Sequence, residues 1–226
     1  PGVLASALGM DKHIQQKVLA AAGIEVPRSV AVREEEWQRA PEQVTERLLQ
    51  NFALPFFVKP AREGSSVGVG KIGTAADIGR TLAEAFRWDR TALAEEFLAG
   101  IEFSAIILER DGETIPLDLT EIYPQSEFYT YDDKYMPGRC RKFTPPKNIP
   151  QDKAARIKEE ARRAFEVLGF RSYGRIDGFY LDDGRIVITD PNSSSGMAPS
   201  SFFFEQAASA GMLPSMIIST LIENAL

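Results

Sequence analysis

Apolar residues recur at helical spacing in several stretches of the chain and alternate with polar ones in others, so helices and strands are mixed along its whole length. Ile14, Val18 and Leu19 followed by Gly23 predict a helix over 10–22. A short strand at 30–32, a helix at 41–50 and a compact strand at 56–59 closed by Pro60 come next. A glycine-serine loop at 64–70 leads into the alternating Val67, Val69 and Lys71, then a helix at 75–88 capped by Thr74 and a strand at 92–95. Ala99-Gly100 is a plausible boundary between lobes. Strands at 102–108 and 115–122 follow, then a stretch at 124–146, rich in tyrosine and charge, that has no period. Ala154, Ile157, Ala161, Ala164, Phe165 and Leu168 form one stripe of an amphipathic helix over 152–168. Two strands and a helical tail over 201–226 complete the chain.

The last two strands, 172–181 and 185–192, flank Asp182-Asp183-Gly184, and Asp-Gly is a strong hairpin signal. With Asp183-Gly184 as a two-residue loop, Asp182 faces Arg185, Asp177 faces Asp190 and Arg175 faces Asn192, all four inner side chains on one face. Tyr173, Phe179, Ile186 and Ile188 are expected on that same face. A bulge in either strand would move the pairing by one position. Two facing carboxylates repel unless one is protonated or a cation lies between them. The oxygen donors Asp177, Asp190 and Asn192 suit a hard divalent ion, Mg²⁺ or Mn²⁺, and so small a ligand set leaves positions for phosphate oxygens. Arg175 adds a planar charge beside them. The bland alternative is a solvated pair of surface charges.

Composition narrows the classes. The 226 residues, 44% of them apolar, suffice for one substantial domain or two packed lobes. A net charge of −6 gives no basic footprint for nucleic acid or an anionic membrane. The one cysteine, Cys140, excludes an internal disulfide and a cysteine zinc site, and the one histidine, His13, expected to be solvated on its helix, argues against a multi-histidine metal site or a Ser-His-Asp triad. No apolar run reaches the roughly 18 residues of a membrane span, and the first residues lack the positive flank of a signal peptide, so a cytoplasmic protein is expected.

Backbone N–H groups of the glycine-serine loop, with the Ser65 and Ser66 hydroxyls, suit a phosphate cradle. The loop is not a Walker A motif, since Ser65 and Ile72 stand where glycine and Ser/Thr are required. Gly68, Gly70 and Gly73 fit the dinucleotide fingerprint literally, but the strand-like alternation there conflicts with a strand-to-helix turn. A flap over ATP phosphates, with Lys59 projecting from the preceding strand, fits better; a plain hairpin loop is the alternative.

Taken together, VLASALGMDK at 3–12, FVKPAREGSSVG at 57–68, FYTYDDKY at 128–135, GRID at 174–177, DPN at 190–192 and Gly196-Met197 resemble the D-alanine–D-alanine ligases of the ATP-grasp superfamily, in the family's order. The resemblance implies an α+β ATP-grasp fold of two lobes, 1–98 and 99–226, that hold ATP and Mg²⁺ (or Mn²⁺) between them. It places Lys12 and Lys59 on ATP phosphates, Glu95, Phe97 and Leu98 around adenine, and Glu102 on ribose. Ser65 and Ser66 would close over the phosphates, and a mobile loop at 124–146 would bring in Tyr131, Lys134 and Tyr135. Asp177, Asp190 and Asn192 would hold the metal.

The implied reaction is attack of a D-alanine carboxylate on the γ-phosphate, then displacement of phosphate by the amine of a second D-alanine, a step in peptidoglycan precursor synthesis. Lys59, Lys134 and Arg175 would stabilise the transferring phosphoryl group, and Ser65 and Tyr131 belong to the same catalytic set. Arg175 and the Gly196 N–H would steady the oxyanion, with Ser200 and Ser201 at the second substrate's carboxylate. Tyr135 favours an amine over a hydroxy acid. Departures are Asp190 for the usual Glu, Thr130 for a common Asp, and Ser193-Ser194-Ser195 for a proline-bearing segment. The family's N-terminal lobe is missing upstream of Pro1, so either this is a piece of a longer, homodimeric ligase or the protein has another source for that site, with small D-amino acids as the expected partners. Another carboxylate-amine ligase of this fold, or an ATP-binding module without ligase activity, are the alternatives.

Overall fold

A computed structural model describes residues 1–124 and 140–226. Two helices, α1 (Val3–Met10) and α2 (Lys12–Ala21), come first, separated at Asp11, whose side chain accepts from Ile14 N and so caps α2. The single helix expected over 10–22 is therefore two, because Asp11 is a better N-cap than an interior helix residue.

The first sheet has the order β1-β4-β2-β3, built from β1 (Ser29–Arg33), β2 (Phe56–Pro60), β3 (Gly70–Ile72) and β4 (Thr91–Glu96), all antiparallel. Helices α3 (Glu34–Arg39), α4 (Pro41–Asn51) and α5 (Asp77–Phe86) belong to this unit. Its core joins Val44 and Leu48 of α4 and Ile78 and Leu82 of α5 to Phe56, Val58, Ala92 and Ala94. Alternation in β2 leaves Phe57 and Lys59 on the other face. The stretch at 65–68 is a run of turns and only 70–72 pairs as strand, so the alternation expected from Val67 does not hold. Ser65, Ser66 and Gly68 have φ of 52°, 60° and 67°, which a strand cannot accommodate.

The second sheet has the order β7-β6-β5-β8-β9, from β5 (Gly100–Arg110), β6 (Glu113–Pro124), β7 (Cys140–Phe143), β8 (Tyr173–Leu181) and β9 (Ile186–Asn192). Helix α6 (Gln151–Val167) covers one face with the predicted stripe, and α7 (Phe202–Ser209) and α8 (Pro214–Glu223) cover part of the other. The α6 core also buries Ala5, Leu19 and Ile24, so the chain's first two helices are rooted in the second sheet. On the opposite face Ile106 and Leu108 of β5 meet Phe203, Ala207 and Ile217. No helix among the described residues is long and apolar enough to cross a membrane.

Beta6 carries a bulge: Ala105 pairs with Leu119 and Ile107 with Pro116, so Leu117 and Asp118 together oppose Ile106. Asp118, at this irregularity, accepts from Ser209 Oγ at 2.6 Å, Leu119 N at 2.9 Å and Lys158 Nζ at 3.1 Å, tying α7 and α6 to β6. Burial alone would raise its pKa, but the three donors win and hold it below the ordinary 3.8. A depressed folded pKa adds stability that is full above 3.8 and is lost as pH falls through the folded value. The stability gap between wild type and Asp118→Asn, read by urea titration, should therefore close as the pH is lowered beneath 3.8 and stay constant at neutral pH.

A Cβ on Gly178 would run into the Val187 carbonyl oxygen and the Phe103 ring. Backbone cannot retreat as a side chain can, so Gly178→Ala should cost about 2 kcal/mol of unfolding free energy, measured as a lower urea midpoint. An unchanged midpoint would show that the strand pair yields.

Candidate active site

The hairpin pairs Asp177 with Asp190 and Arg175 with Asn192, as the sequence predicts, by a different route. The loop holds three residues, not two: Leu181 N bonds Arg185 O at 2.9 Å, and Gly184 N bonds Leu181 O with Gly184 at φ 87°. Near the turn Tyr180 therefore pairs with Ile186 and Gly178 with Ile188, one position off the expected register. A bulge at Thr189 restores it, the Thr189 hydroxyl donating to the Asp177 carbonyl at 3.3 Å. The two departures cancel at the carboxylates. They do not cancel before the bulge, where Ile186 and Ile188 are turned into the α6 core with Ile176 rather than onto the acidic face.

Asp177 Oδ1 accepts from Ser104 Oγ at 2.8 Å, and Arg175 Nε lies 3.0 Å from both of its oxygens. Asn192 Nδ2 donates to the Asp190 carbonyl at 2.6 Å and lies 3.4 Å from Asp177 Oδ2. Arg175 also reaches Ser195 Oγ at 3.3 Å. Lys12 Nζ sits 3.9 Å from Asp190 Oδ1 and donates to the Glu63 carbonyl, so one cation touches the hairpin and the base of the glycine-serine loop. No cluster of three His, Cys, Asp or Glu occurs among the described residues. The donor set is two facing carboxylates and an amide, all oxygen, which fits a hard cation that keeps several ligand positions for water or phosphate.

On the first sheet, Lys59 Nζ pairs with Glu95 Oε2 at 2.7 Å. They are diagonal neighbours, since Phe57 faces Glu95 and Lys59 faces Leu93. Gln16 Nε2 donates to Glu95 Oε1 at 2.5 Å, so helix α2 sends Lys12 to one sheet and Gln16 to the other. Phe97 is exposed beside Phe57, ring centroids 6.1 Å apart, and Leu98 is half-buried at the junction of the sheets. Glu102 lies on the same face of β5 as Ser104.

Gly68 packs between Pro60 and Trp88, where a Cβ would come within 2.8 Å of each ring. Its neighbours Ser65 and Ser66 hold consecutive left-handed conformations at the loop tip. Gly196 and Ser200 are exposed, while Ser201 starts α7 with its Oγ enclosed and without a hydrogen-bond partner among the described residues. Tyr131, Lys134 and Tyr135 lie outside the described residues. His13, expected to be solvated, is half-buried, and burial followed by the Lys17 charge lowers its pKa.

Comparison with known proteins gives the family. The family described as D-ala D-ala ligase C-terminus matches residues 18–223. The chain belongs to that family. A D-alanine–D-alanine ligase of Geobacillus thermodenitrificans is 37% identical over 225 residues, covering 100% of this chain and 61% of the relative. A D-alanine–D-alanine ligase A of Mesorhizobium japonicum is 37% identical over 228 residues, with 100% and 62% covered. The VanG D-Ala:D-Ser ligase of Enterococcus faecalis superposes with a TM-score of 0.87 at 30% identity, over 99% of this chain and 63% of that one. The chain thus spans about 60% of the length of the curated relatives it matches. Its two antiparallel sheets are those of the ATP-grasp fold of this ligase family, whose members use ATP and a divalent metal.

Sequence reasoning missed Ser104, Gln16 and Phe57. Only pairing reveals the first: Ser104 stands directly across β5 and β8 from Asp177. Lys59 and Glu95 side chains are 14% and 10% exposed, so removing one charge strands the other. Lys59→Met should lose about 3 kcal/mol of stability, and Lys59→Met/Glu95→Gln should recover most of it. A double-variant loss equal to the sum of the two single-variant losses, measured by denaturant titration, would show that the pair is uncoupled.

Proposed function

We propose that the full-length protein is an ATP-dependent ligase that joins two D-alanine molecules through an acyl phosphate, in peptidoglycan precursor synthesis. The observation that carries this reading is the facing pair Asp177 and Asp190, bracketed by Arg175, Lys12 and Asn192, in a chain of the D-alanine–D-alanine ligase family. The two lobes at 1–98 and 99–226 close on the nucleotide, with α1 and α2 rooted in the core of the second. The protein acts in the cytoplasm as a homodimer on small D-amino acids, with no nucleic-acid partner.

Asp177, Asp190 and Asn192 would hold Mg²⁺ or Mn²⁺, which when bound supplies charge neutralisation to phosphate oxygens. Asp190 is one methylene shorter than Glu and so coordinates from further back; Lys12 at 3.9 Å shares that carboxylate. Lys12 and Lys59 bind the ATP phosphates and the Ser65-Ser66 tip closes over them. Glu95, Phe97 and Leu98 surround adenine, and Glu102 takes the ribose hydroxyls. Arg175, with Lys134, steadies the transferring phosphoryl group, and Arg175 with the Gly196 N–H receives the oxyanion. Tyr131 and Tyr135 orient the amino acids, and Ser200 and Ser201 accept the second carboxylate. The enclosed Ser201 Oγ at the start of α7, without a hydrogen-bond partner among the described residues, supports that last role, since a hydroxyl there has a hydrogen to give.

The likeness to a D-Ala:D-Ser ligase makes D-serine the competitor to test as second substrate. Phosphate release from ATP by the full-length protein should depend on D-alanine, exceed the rate with L-alanine, and fall at least about 100-fold in Asp177→Ala and Arg175→Ala. Release supported only by another amine would replace D-alanine as the substrate. ATP binding without any amino-acid-dependent release would make the chain a nucleotide-binding module. Full activity in Asp177→Ala would remove the hairpin from the reaction.

A further inference from the structure

The bulge in β6 leaves Ile106 of β5 without a register partner on β6, and one side chain from α7 reaches that place. Gln206, fully buried, accepts from Ile106 N at 2.8 Å and donates to the Ser104 carbonyl at 2.9 Å and to Thr120 Oγ1 at 3.0 Å. An apolar residue there would bury the Ile106 N–H without this acceptor. The residue whose carbonyl is held, Ser104, uses its own hydroxyl on Asp177 Oδ1 at 2.8 Å. The helix that supplies the amide begins at Phe202, immediately after Ser200 and Ser201. Ser209, one turn on, docks on Asp118 at the same bulge. The start of α7 is steadied separately by Lys142 of β7, whose Nζ lies 4.4 Å from the centre of the Phe202 ring.

We propose that Gln206 is a positioning residue that sets the distance between the Ser200-Ser201 segment, which receives the second amino acid, and the strand that carries Asp177. The inference rests on the ligase reading above and adds a residue to it. One amide group spans the two parts: its hydrogen bonds lock α7 to β5 at Ser104, and Ser104 passes the constraint to Asp177. Without the amide the helix keeps its apolar contacts through Phe203 and Ala207 and is free to slide over β5 by a fraction of an ångström. Such a slide misplaces the acceptor amine against the reacting carbonyl while leaving the first sheet, with Lys59 and Glu95, untouched.

Steady-state kinetics of the full-length protein with ATP, Mg²⁺ and D-alanine test this. Gln206→Met, close in shape and without the amide, should raise KM for the second D-alanine about tenfold and the half-activating Mg²⁺ concentration about threefold, with KM for ATP within about twofold of wild type. Gln206→Glu has a single hydrogen to give when protonated and should raise the acceptor KM about threefold, which keeps the test open if the methionine variant does not fold. Ser209→Ala, which removes the neighbouring latch and not the amide, should leave the acceptor KM within about twofold. If both Gln206 variants lower only kcat or thermal stability and leave the acceptor KM within about twofold, Gln206 is structural and the inference fails. A wild-type protein without D-amino-acid-dependent turnover overturns the ligase reading, and this inference with it.

Discussion

Helix α2 is the piece on which the rest depends. Lys12 and Gln16 stand one turn apart on it, and their side chains end on carboxylates of different sheets, Asp190 in the second and Glu95 in the first. Between them Gln15 donates to the Pro191 carbonyl at 2.8 Å, next to Asp190. The helix is anchored in the second sheet's core through Leu19, and its first N–H is tied to the Ala61 carbonyl of the first unit at 3.0 Å. Three adjacent polar side chains therefore decide how two independently built cores face one another. Each is largely buried, so a lost partner costs more than a surface contact would.

Neighbouring cations, one of them from the same helix, explain why the acidic groups tolerate one another. Asp177 is held by Arg175 and Ser104, and Asp190 has Lys12 nearby, so each carboxylate has a cation of its own. Glu95 is matched by Lys59 in the same way. On the reading proposed above, bringing ATP to this place would exchange carboxylate partners for phosphate ones, a swap of like for like that would keep the lysines and the arginine charge-compensated throughout. A metal ion added with the nucleotide would then supply the positive charge that Asp177 and Asp190 need.

Periodicity and turn chemistry made most elements legible: the α6 stripe, the strands at 56–60 and 91–96, and the hairpin are local patterns whose physics lies within a dozen residues. Local reading failed where a cap, a loop length or a bulge, not the apolar period, decides the geometry. Asp11 reads as a helix residue until its cap to Ile14 N is seen, and the polar residues at 34–39 form α3 although no apolar period marks it. The hairpin is the sharper case. A wrong loop length and an unseen bulge, each worth one position, cancelled at Asp177 and Asp190 while leaving Ile186 and Ile188 assigned to the wrong face. Agreement at a functional residue thus says little about the strand on either side of it.

Why a bulge should sit beside each strand of the candidate site follows from the alternation rule itself. A regular ladder turns every second residue to the same face, so β9 cannot send Ile186 and Ile188 into the core and also Asp190 and Asn192 onto the opposite face unless one residue is inserted between them. Thr189 is that residue, and its hydroxyl donates to the Asp177 carbonyl across the insertion. In β6 the insertion at Leu117 and Asp118 leaves Ile106 without a register partner, and the repair comes from α7 through Gln206. Both bulges change which face a side chain reaches, and in both a polar side chain satisfies the backbone. The difference is that Thr189 mends its own strand, whereas Gln206 reaches in from a helix and thereby binds the position of that helix to the strand it repairs.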